Sequence, residues 1–303
     1  AQGHSVVDMS STQPTTNAPA HQKALGGSCL ELARVTDRTE IDPVLYQHQP
    51  EVVVSCLASR SGESSDAWTI DYQANSSLLE SARQAGATQF ILLSAICVQK
   101  PALQFQHAKL KYEAELMSSG LRYSVVRPTA YFKSLSGQIA RGKRGQPYLL
   151  LGDGRRTACK PISQRDLARF ITGCVDDHDK HDAVLPIGGP GPAVTPREQG
   201  EILFSLLNRP PRFRSLPVWM MDAIGLGLSS VGWMSSRLKT KAELARIGRY
   251  YATESMLVWN PVDGRYDSDA TPSFGRDTLQ EHYRHALADA NWTSELGDHS
   301  VFD

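Results

Sequence analysis

The sequence predicts an α/β fold: a doubly wound, mostly parallel sheet followed by a smaller, mostly helical region. Three observations carry that prediction. Short apolar runs bounded by polar residues occur at 52–57, 90–94 and 123–128, the pattern of strands buried on both faces. Longer segments of helical character separate them, at 66–85 and 102–118. Each of those ends beside a glycine, Gly86 and Gly120, the residue that most easily takes the left-handed conformation past a helix end. Strands alternating with helices imply right-handed crossovers, with helices on both faces.

The elements follow in order. Residues 4–8 predict a short strand, and 10–28, rich in Ser, Thr, Gln, Asn, Pro and Gly, a loop. Residues 30–35 predict a second strand, after which Asp37 caps a short helix. The helix over 66–85 turns Ile70, Ala74, Leu78, Leu79 and Ala82 inward. Beyond residue 140 the pattern loosens. Residues 148–151 and 183–187 predict strands, and 163–174 a helix capped by Ser163. A Gly/Pro loop at 188–192 precedes a helix opened by Thr195, with Pro196 at its first position. Further helices and a loop-rich tail fill 215–303. No internal repeat is visible, and the pattern divides into a sheet domain at 1–190 and a C-terminal region at 191–303.

Bulk properties narrow the functional classes. The 303 residues carry 32 basic and 32 acidic side chains, so no overall field draws the chain to nucleic acid. Five widely spaced cysteines without a CxxC pair indicate reduced thiols, not a disulfide framework or a zinc motif. The nine histidines show no metal-ligand spacing, and no protein-held metal is expected. No stretch has the length and apolarity of a membrane span. No charged start leads into an apolar run as in a secretory signal; a removed transit peptide would leave no mark.

In open α/β sheets, ligands bind beyond the carboxyl ends of the strands. Three such ends stand out: Cys56-Leu57-Ala58-Ser59, Ser94-Ala95-Ile96-Cys97, and Arg127-Pro128-Thr129-Ala130-Tyr131-Phe132. Each alone reads as an ordinary turn. Three in succession, small or polar directly after a buried strand, predict a ligand edge. Within 102–118, Lys109, Lys111, Glu113 and Glu115 read first as a solvated face with i,i+4 pairs, worth about 0.2–0.5 kcal/mol each. Residues 216–233 are apolar with Trp at both ends. They predict a buried helix of the smaller region, with a lid over a flat ligand or a segment touching a membrane as the functional alternative.

The segments "ATQFILLSA", "KYEAEL" and "VVRPTAYF" resemble the extended and atypical branches of the short-chain dehydrogenase/reductase superfamily. That resemblance implies a Rossmann-like fold and a nicotinamide cofactor held by the three strand ends. In the superfamily's Tyr-x-x-x-Lys pair it puts Lys111 in the lysine place and His107 in the tyrosine place, or else Lys109 and Phe105. Longer strings, among them "VVVSCLASRSG", "LLSAICVQKP", "FQHAKLKYEAEL", "GDGRRTACKPIS" and "GRYYATESMLV", resemble a narrower branch, the C8-vinyl reductases of chlorophyll synthesis. The implications are NADPH as cofactor, a chlorophyllide-type tetrapyrrole as substrate, and reduction of its C8 vinyl group to ethyl. They extend to a plastid or the cytoplasm of a photosynthetic bacterium, with peripheral membrane contact. Any Mg²⁺ would travel with the substrate.

Two departures from the superfamily pattern stand in the sequence. It contains no Gly-x-x-Gly-x-x-Gly turn, the motif whose backbone N–H groups hold a cofactor pyrophosphate. "AQGHSVV" instead resembles the end of the first helix and the start of the second strand. The expectation is a chain truncated before its central strand, with the strands near residues 5 and 32 lacking a neighbour, the first 50 residues poorly packed, and cofactor affinity poor. No basic side chain follows the first strand in Asp8-Met9-Ser10-Ser11, so NADPH over NADH rests on resemblance. The second departure is the absent phenol. A carbonyl reduction needs a donor to an alkoxide, whereas a vinyl reduction delivers its proton to carbon, which leaves His107, a lysine or water as donor. Two other readings stand beside this one: a different reductase or epimerase of the superfamily, and a non-catalytic protein that keeps the shell of the fold.

Overall fold

A computed structural model describes residues 4–10, 28–59, 63–223 and 236–289. Its centre is a four-stranded parallel sheet in the order β3-β4-β5-β7: β3 is Val52–Ser55, β4 Gln89–Leu93, β5 Arg122–Pro128 and β7 Ala183–Ile187. The register sets Val53 beside Phe90, Phe90 beside Tyr123, and Val125 beside Val184. Side chains alternate across a strand, and both faces here are apolar. Phe90, Leu92 and Val125 enter one core with Ile41, Leu78 and Leu116. Ile91 and Val126 enter another with Leu167, Phe170 and Ile187. This two-sided burial is why the strands read as unbroken apolar runs.

The first core is covered by α1 (Arg38–His48), α2 (Asn75–Gln84) and α3 (Gln104–Met117), the second by α5 (Gln164–Gly173). Helices on both faces of a parallel sheet are the expected doubly wound arrangement. The predicted caps are present. Asp37 accepts from the Thr39 N–H, Ser163 from the Asp166 N–H, and Gly86 and Gly120 adopt φ of +88° and +81°.

One feature was not expected, and a second concerns the strands near residues 5 and 32. The helix predicted over 66–85 is not uniform: a π-helical stretch, Ala67–Ala74, leads into α2. Asn75 explains it. Its Nδ2 donates to the carbonyls of Ile70 (3.1 Å) and Asp71 (3.3 Å), and its Oδ1 accepts from Ser55 Oγ at 2.5 Å. Side-chain donation to those carbonyls stands in for the regular ladder, and anchorage to β3 fixes the wide turn. The second feature is a separate parallel pair, β1 (Val7–Ser10) with β2 (Cys29–Leu32). Among the described strands β1 bonds only to β2, and β3 only to β4. The first strand begins three residues later than residues 4–8 suggest, because Val7 and not His4 is the first to pair. Most of the predicted loop at 10–28 lies outside the described residues.

A second packed layer surrounds another parallel pair, β6 (Tyr148–Leu151) with β8 (Phe213–Leu216), and holds α4 (Ile139–Lys143), α6 (Pro196–Leu206) and α8 (Leu279–Ala288). Bridges Cys159–Val194 and Gly188–Ser273 tie residues on the two sides of position 190. Gly189 sits where these segments touch; a Cβ there would lie 1.9 Å from the Pro161 carbonyl oxygen. The long α7 (Ser236–Thr253) and the hairpin β9 (Val258–Asn260) with β10 (Arg265–Asp267) complete the C-terminal half. Of the apolar segment 216–233, residues 224–233 lie outside the described residues. Met221 is buried, but Trp219 is 67% exposed, so this part is not the fully buried helix expected.

Candidate active site

The carboxyl ends of β3, β4 and β5 lie side by side, as the registers require. The first end, Cys56 to Ser59, is partly exposed and made of small side chains apart from Leu57. Beside it the π turn directs Asp71 inward. Ser59 Oγ donates to Asp71 Oδ2 at 2.6 Å, and Lys109 Nζ reaches Asp71 Oδ1 at 2.8 Å. Asp71 is fully buried and the Lys109 side chain is 11% exposed. A charge taken this far from water is held only by its partner. The pair therefore fixes α3, the π turn and the first strand end as one wall.

The second end is held from below. Ser94 Oγ donates at 2.5 Å to Glu113, a fully buried carboxylate that also pairs with Arg127 on β5. The Ser94 hydroxyl thus faces the scaffold, while Ala95 stays partly open. At the third end Pro128 and Thr129 are buried, the Thr129 hydroxyl donates to the Lys160 carbonyl, and Ala130 is partly open. Phe132 is not at the crevice. It is buried in the core of the second layer, its ring against His282. The chain turns away from the sheet after Ala130, and Phe132 follows that turn.

The helix α3 decides between the two lysines. Residues at spacings of three and four share a face: Phe105, Lys109, Tyr112 and Leu116 turn inward, and His107, Lys111 and Ala114 turn outward. His107 is exposed, and Lys111 Nζ lies 4.2 Å over the Tyr72 ring on the outer side. The structure thus turns Lys111 and His107 away from the strand ends and brings Lys109, the alternative lysine, to Asp71 beside Ser59. The solvated-face reading also fails, since Lys109 pairs with Asp71, Glu113 with Arg127, and Glu115 accepts from Ser76. Period alone could have separated 105/109 from 107/111; the acidic partner from the π turn could not have been read.

A row of neutral protic groups lies beside the crevice: Cys97 and Tyr131 fall within the strand ends singled out from the sequence, whereas sequence reasoning missed Tyr250 and Tyr251. Cys97, buried just past the second strand end, lies 4.0 Å from Tyr251 Oη of α7. Tyr251 is 43% exposed, but its hydroxyl points inward. Tyr250 beside it places its own hydroxyl 2.8 Å from the Cys97 carbonyl and 3.0 Å from that of Lys100. The neighbouring Cys97 thiol, and burial after it, push the Tyr251 phenol well above the ordinary tyrosine range. Burial, with Cys56 and Cys97 nearby, raises Tyr131 too. Burial likewise pushes up the Cys97 thiol. All three remain protonated at neutral pH. The signal lay in "GRYYA", 150 residues from the loop it touches, and nothing local marks that contact.

A crevice at the carboxyl ends of a doubly wound sheet, walled by small residues and one buried lysine, defines the class of NAD(P)H-binding proteins. The family model described as NAD(P)H-binding matches residues 13–178, more than half of the chain. Among curated relatives, the chloroplastic divinyl chlorophyllide a 8-vinyl-reductase of Cucumis sativus is 54% identical over 83% of this chain and 61% of its own length. That of Zea mays is 50% identical over 88% and 68%. The chain belongs to the divinyl chlorophyllide a 8-vinyl-reductase family, and the resemblance read from its segments is borne out. It spans about three fifths to two thirds of the length of these relatives. Solved structures share the fold at low identity. An NADPH-dependent quinone oxidoreductase of Escherichia coli, complexed with NADPH, matches with a TM-score of 0.65 and 16% identity, over 93% of this chain and 90% of that one. A UDP-glucose 4-epimerase of Thermotoga maritima matches at 0.58 and 17%, over 71% and 79%.

Proposed function

We propose that the chain reduces the C8 vinyl group of divinyl chlorophyllide a, or a related chlorophyll precursor, to ethyl with NADPH. The observation that carries the reading is kinship at about half identity with reductases of that name. The crevice supports it. Small residues at three adjacent strand ends admit a flat ring to the backbone, so the nicotinamide half of the cofactor fits Cys56–Ser59, Ala95 and Ala130. When bound, the cofactor supplies a hydride to the vinyl group. Lys109, fixed by Asp71, sets an ion-paired ammonium at the wall. Tyr251, Tyr131 and Cys97 offer neutral O–H and S–H groups from which carbon takes its proton, and the macrocycle spreads the charge that precedes that step. His107 and Lys111 face solvent and take no part in it. The matching family model is described as NAD(P)H-binding, and NADPH over NADH rests on the resemblance read from the sequence.

The relatives carry "chloroplastic" in their names, and we place this chain in a plastid on that basis. No helix among the described residues is long and apolar enough to cross a membrane. Peripheral contact with a bilayer is part of the proposal. Its support is Trp219, 67% exposed, beyond β8, which carries the exposed Arg214 and follows the exposed Arg212.

The deciding experiment incubates the protein with NADPH and divinyl chlorophyllide a and separates pigments by chromatography. Monovinyl product is expected. Bound NADPH without product would overturn the activity while leaving the fold class intact.

A further inference from the structure

Away from the crevice, the edge of the β1–β2 pair brings three metal-binding side chains to one point. Cys29 and Glu31 lie two apart on β2 and so share a face. His48 is the last residue of α1, where Gln49 leaves the helix in the left-handed conformation. His48 Nε2 lies 2.9 Å from Glu31 Oε1, and Cys29 Sγ 3.7 Å from the same oxygen. All three ligand atoms fall within 4.8 Å of one another. His48 precedes the start of β3 and Cys29 opens β2. The group therefore sits at the amino end of the strands, opposite the crevice.

We propose that Cys29, Glu31 and His48 form a Zn²⁺ site. A zinc ion bound tetrahedrally at roughly 2.0–2.3 Å separates its ligand atoms by roughly 3.4–3.6 Å. The thiol and the carboxylate already stand at such a distance. The imidazole and the carboxylate need to part by about half an ångström. The donor set is one soft thiolate, one borderline imidazole and one hard carboxylate, which suits zinc and disfavours Mg²⁺ or Ca²⁺. An ion pair alone accounts for Glu31 with His48. It gives no reason for a thiol, a weak hydrogen-bond donor, to converge on the same oxygen. Binding displaces the thiol proton to solvent and closes a Zn–S bond. Cys29 is exposed, so water takes the fourth position. The ion would clamp the edge strand to α1. The spacings, two and seventeen residues, match no metal motif, which is why the sequence did not show the site.

The test uses the whole chain, reduced and metal-free. Zn²⁺ is titrated against a chromophoric chelator, and Co²⁺ is added as a spectroscopic substitute. One Zn²⁺ per chain is expected, bound at least about tenfold more weakly by Cys29→Ser and by His48→Ala. Co²⁺ should give a thiolate-to-metal charge-transfer band, and Zn²⁺ should slow alkylation of Cys29 while leaving Cys56 reactive. A wild-type Co²⁺ complex without that band overturns the proposal, even where a variant fails to fold. Equal Zn²⁺ affinity in wild type and both variants overturns it as well.

Discussion

Lys109 Nζ lies 2.8 Å from a carboxylate oxygen of Asp71, and neither side chain has appreciable access to solvent. The contact joins α3 to a π turn whose shape is set by Asn75, and it separates two lysines only two residues apart. Lys109→Met leaves Asp71 buried and unpaired, a loss of about 3–5 kcal/mol. Lys111→Met removes surface contacts with the Tyr72 and Trp68 rings, at most about 1 kcal/mol each. Urea titration of both variants checks the difference, and NADPH titration should show weaker binding in the first alone.

Tyr251→Phe tests proton delivery. Loss of one donor is expected to lower kcat about 10²-fold or more, with NADPH affinity unchanged. A variant with full activity would pass the role to Tyr131 or Cys97. Because the Tyr251 phenol is raised, its proton is retained through the alkaline range. The rate should therefore show no loss from this group below about pH 10, the ordinary phenol value.

Buried phenols also set an alkaline limit on stability. Burial pushes Tyr112, Tyr148 and Tyr283 up. A group whose folded pKa exceeds its unfolded one contributes stability that is complete below the unfolded value and is lost as pH rises past it. The denaturant midpoint should hold to about pH 10 and fall above it.

Two tyrosine hydroxyls give opposite expectations. Tyr112 Oη is buried without a hydrogen-bond partner among the described residues. Tyr112→Phe should be neutral or stabilising by up to about 1 kcal/mol. Tyr250→Phe removes the hydroxyl that donates to the Cys97 and Lys100 carbonyls, the former keeping its bond from Gln106 Nε2, and should cost about 1 kcal/mol or more. Thermal melts of the pair check the signs.

Gly189→Ala sets a methyl group 1.9 Å from a backbone oxygen. Neither strand nor bridge can yield without breaking its pairing, so a loss above about 4 kcal/mol is expected. The readout is the soluble yield and melting point of the variant.

Much of the central sheet was legible because its strands are buried on both faces and its helices carry local stops. Gly86, Gly120, Asp37, Ser163 and Thr195 act within a few residues of themselves, and each takes the expected role. The strand ends were legible in the same way, through small residues after apolar runs. The face of α3 could be read from its period, but the partners of its charges could not, since Asp71, Arg127 and Ser76 come from other elements. Phe132 was placed at the crevice from its nearness in sequence to Pro128, but one turn of chain carries it into another core. Tyr251 was invisible for the opposite reason: its partner is remote.

The hydroxyl of Tyr250 reaches carbonyls 153 and 150 positions earlier in the chain. On a ribosome adding roughly 5–20 residues per second, the loop at Cys97 waits about 8–30 s for the tyrosine that secures it. Through that interval a nascent sheet with an unfinished rim would expose apolar surface, a natural target for a chaperone. The wall that Tyr250 and Tyr251 complete is thus among the last parts of the molecule to be assembled.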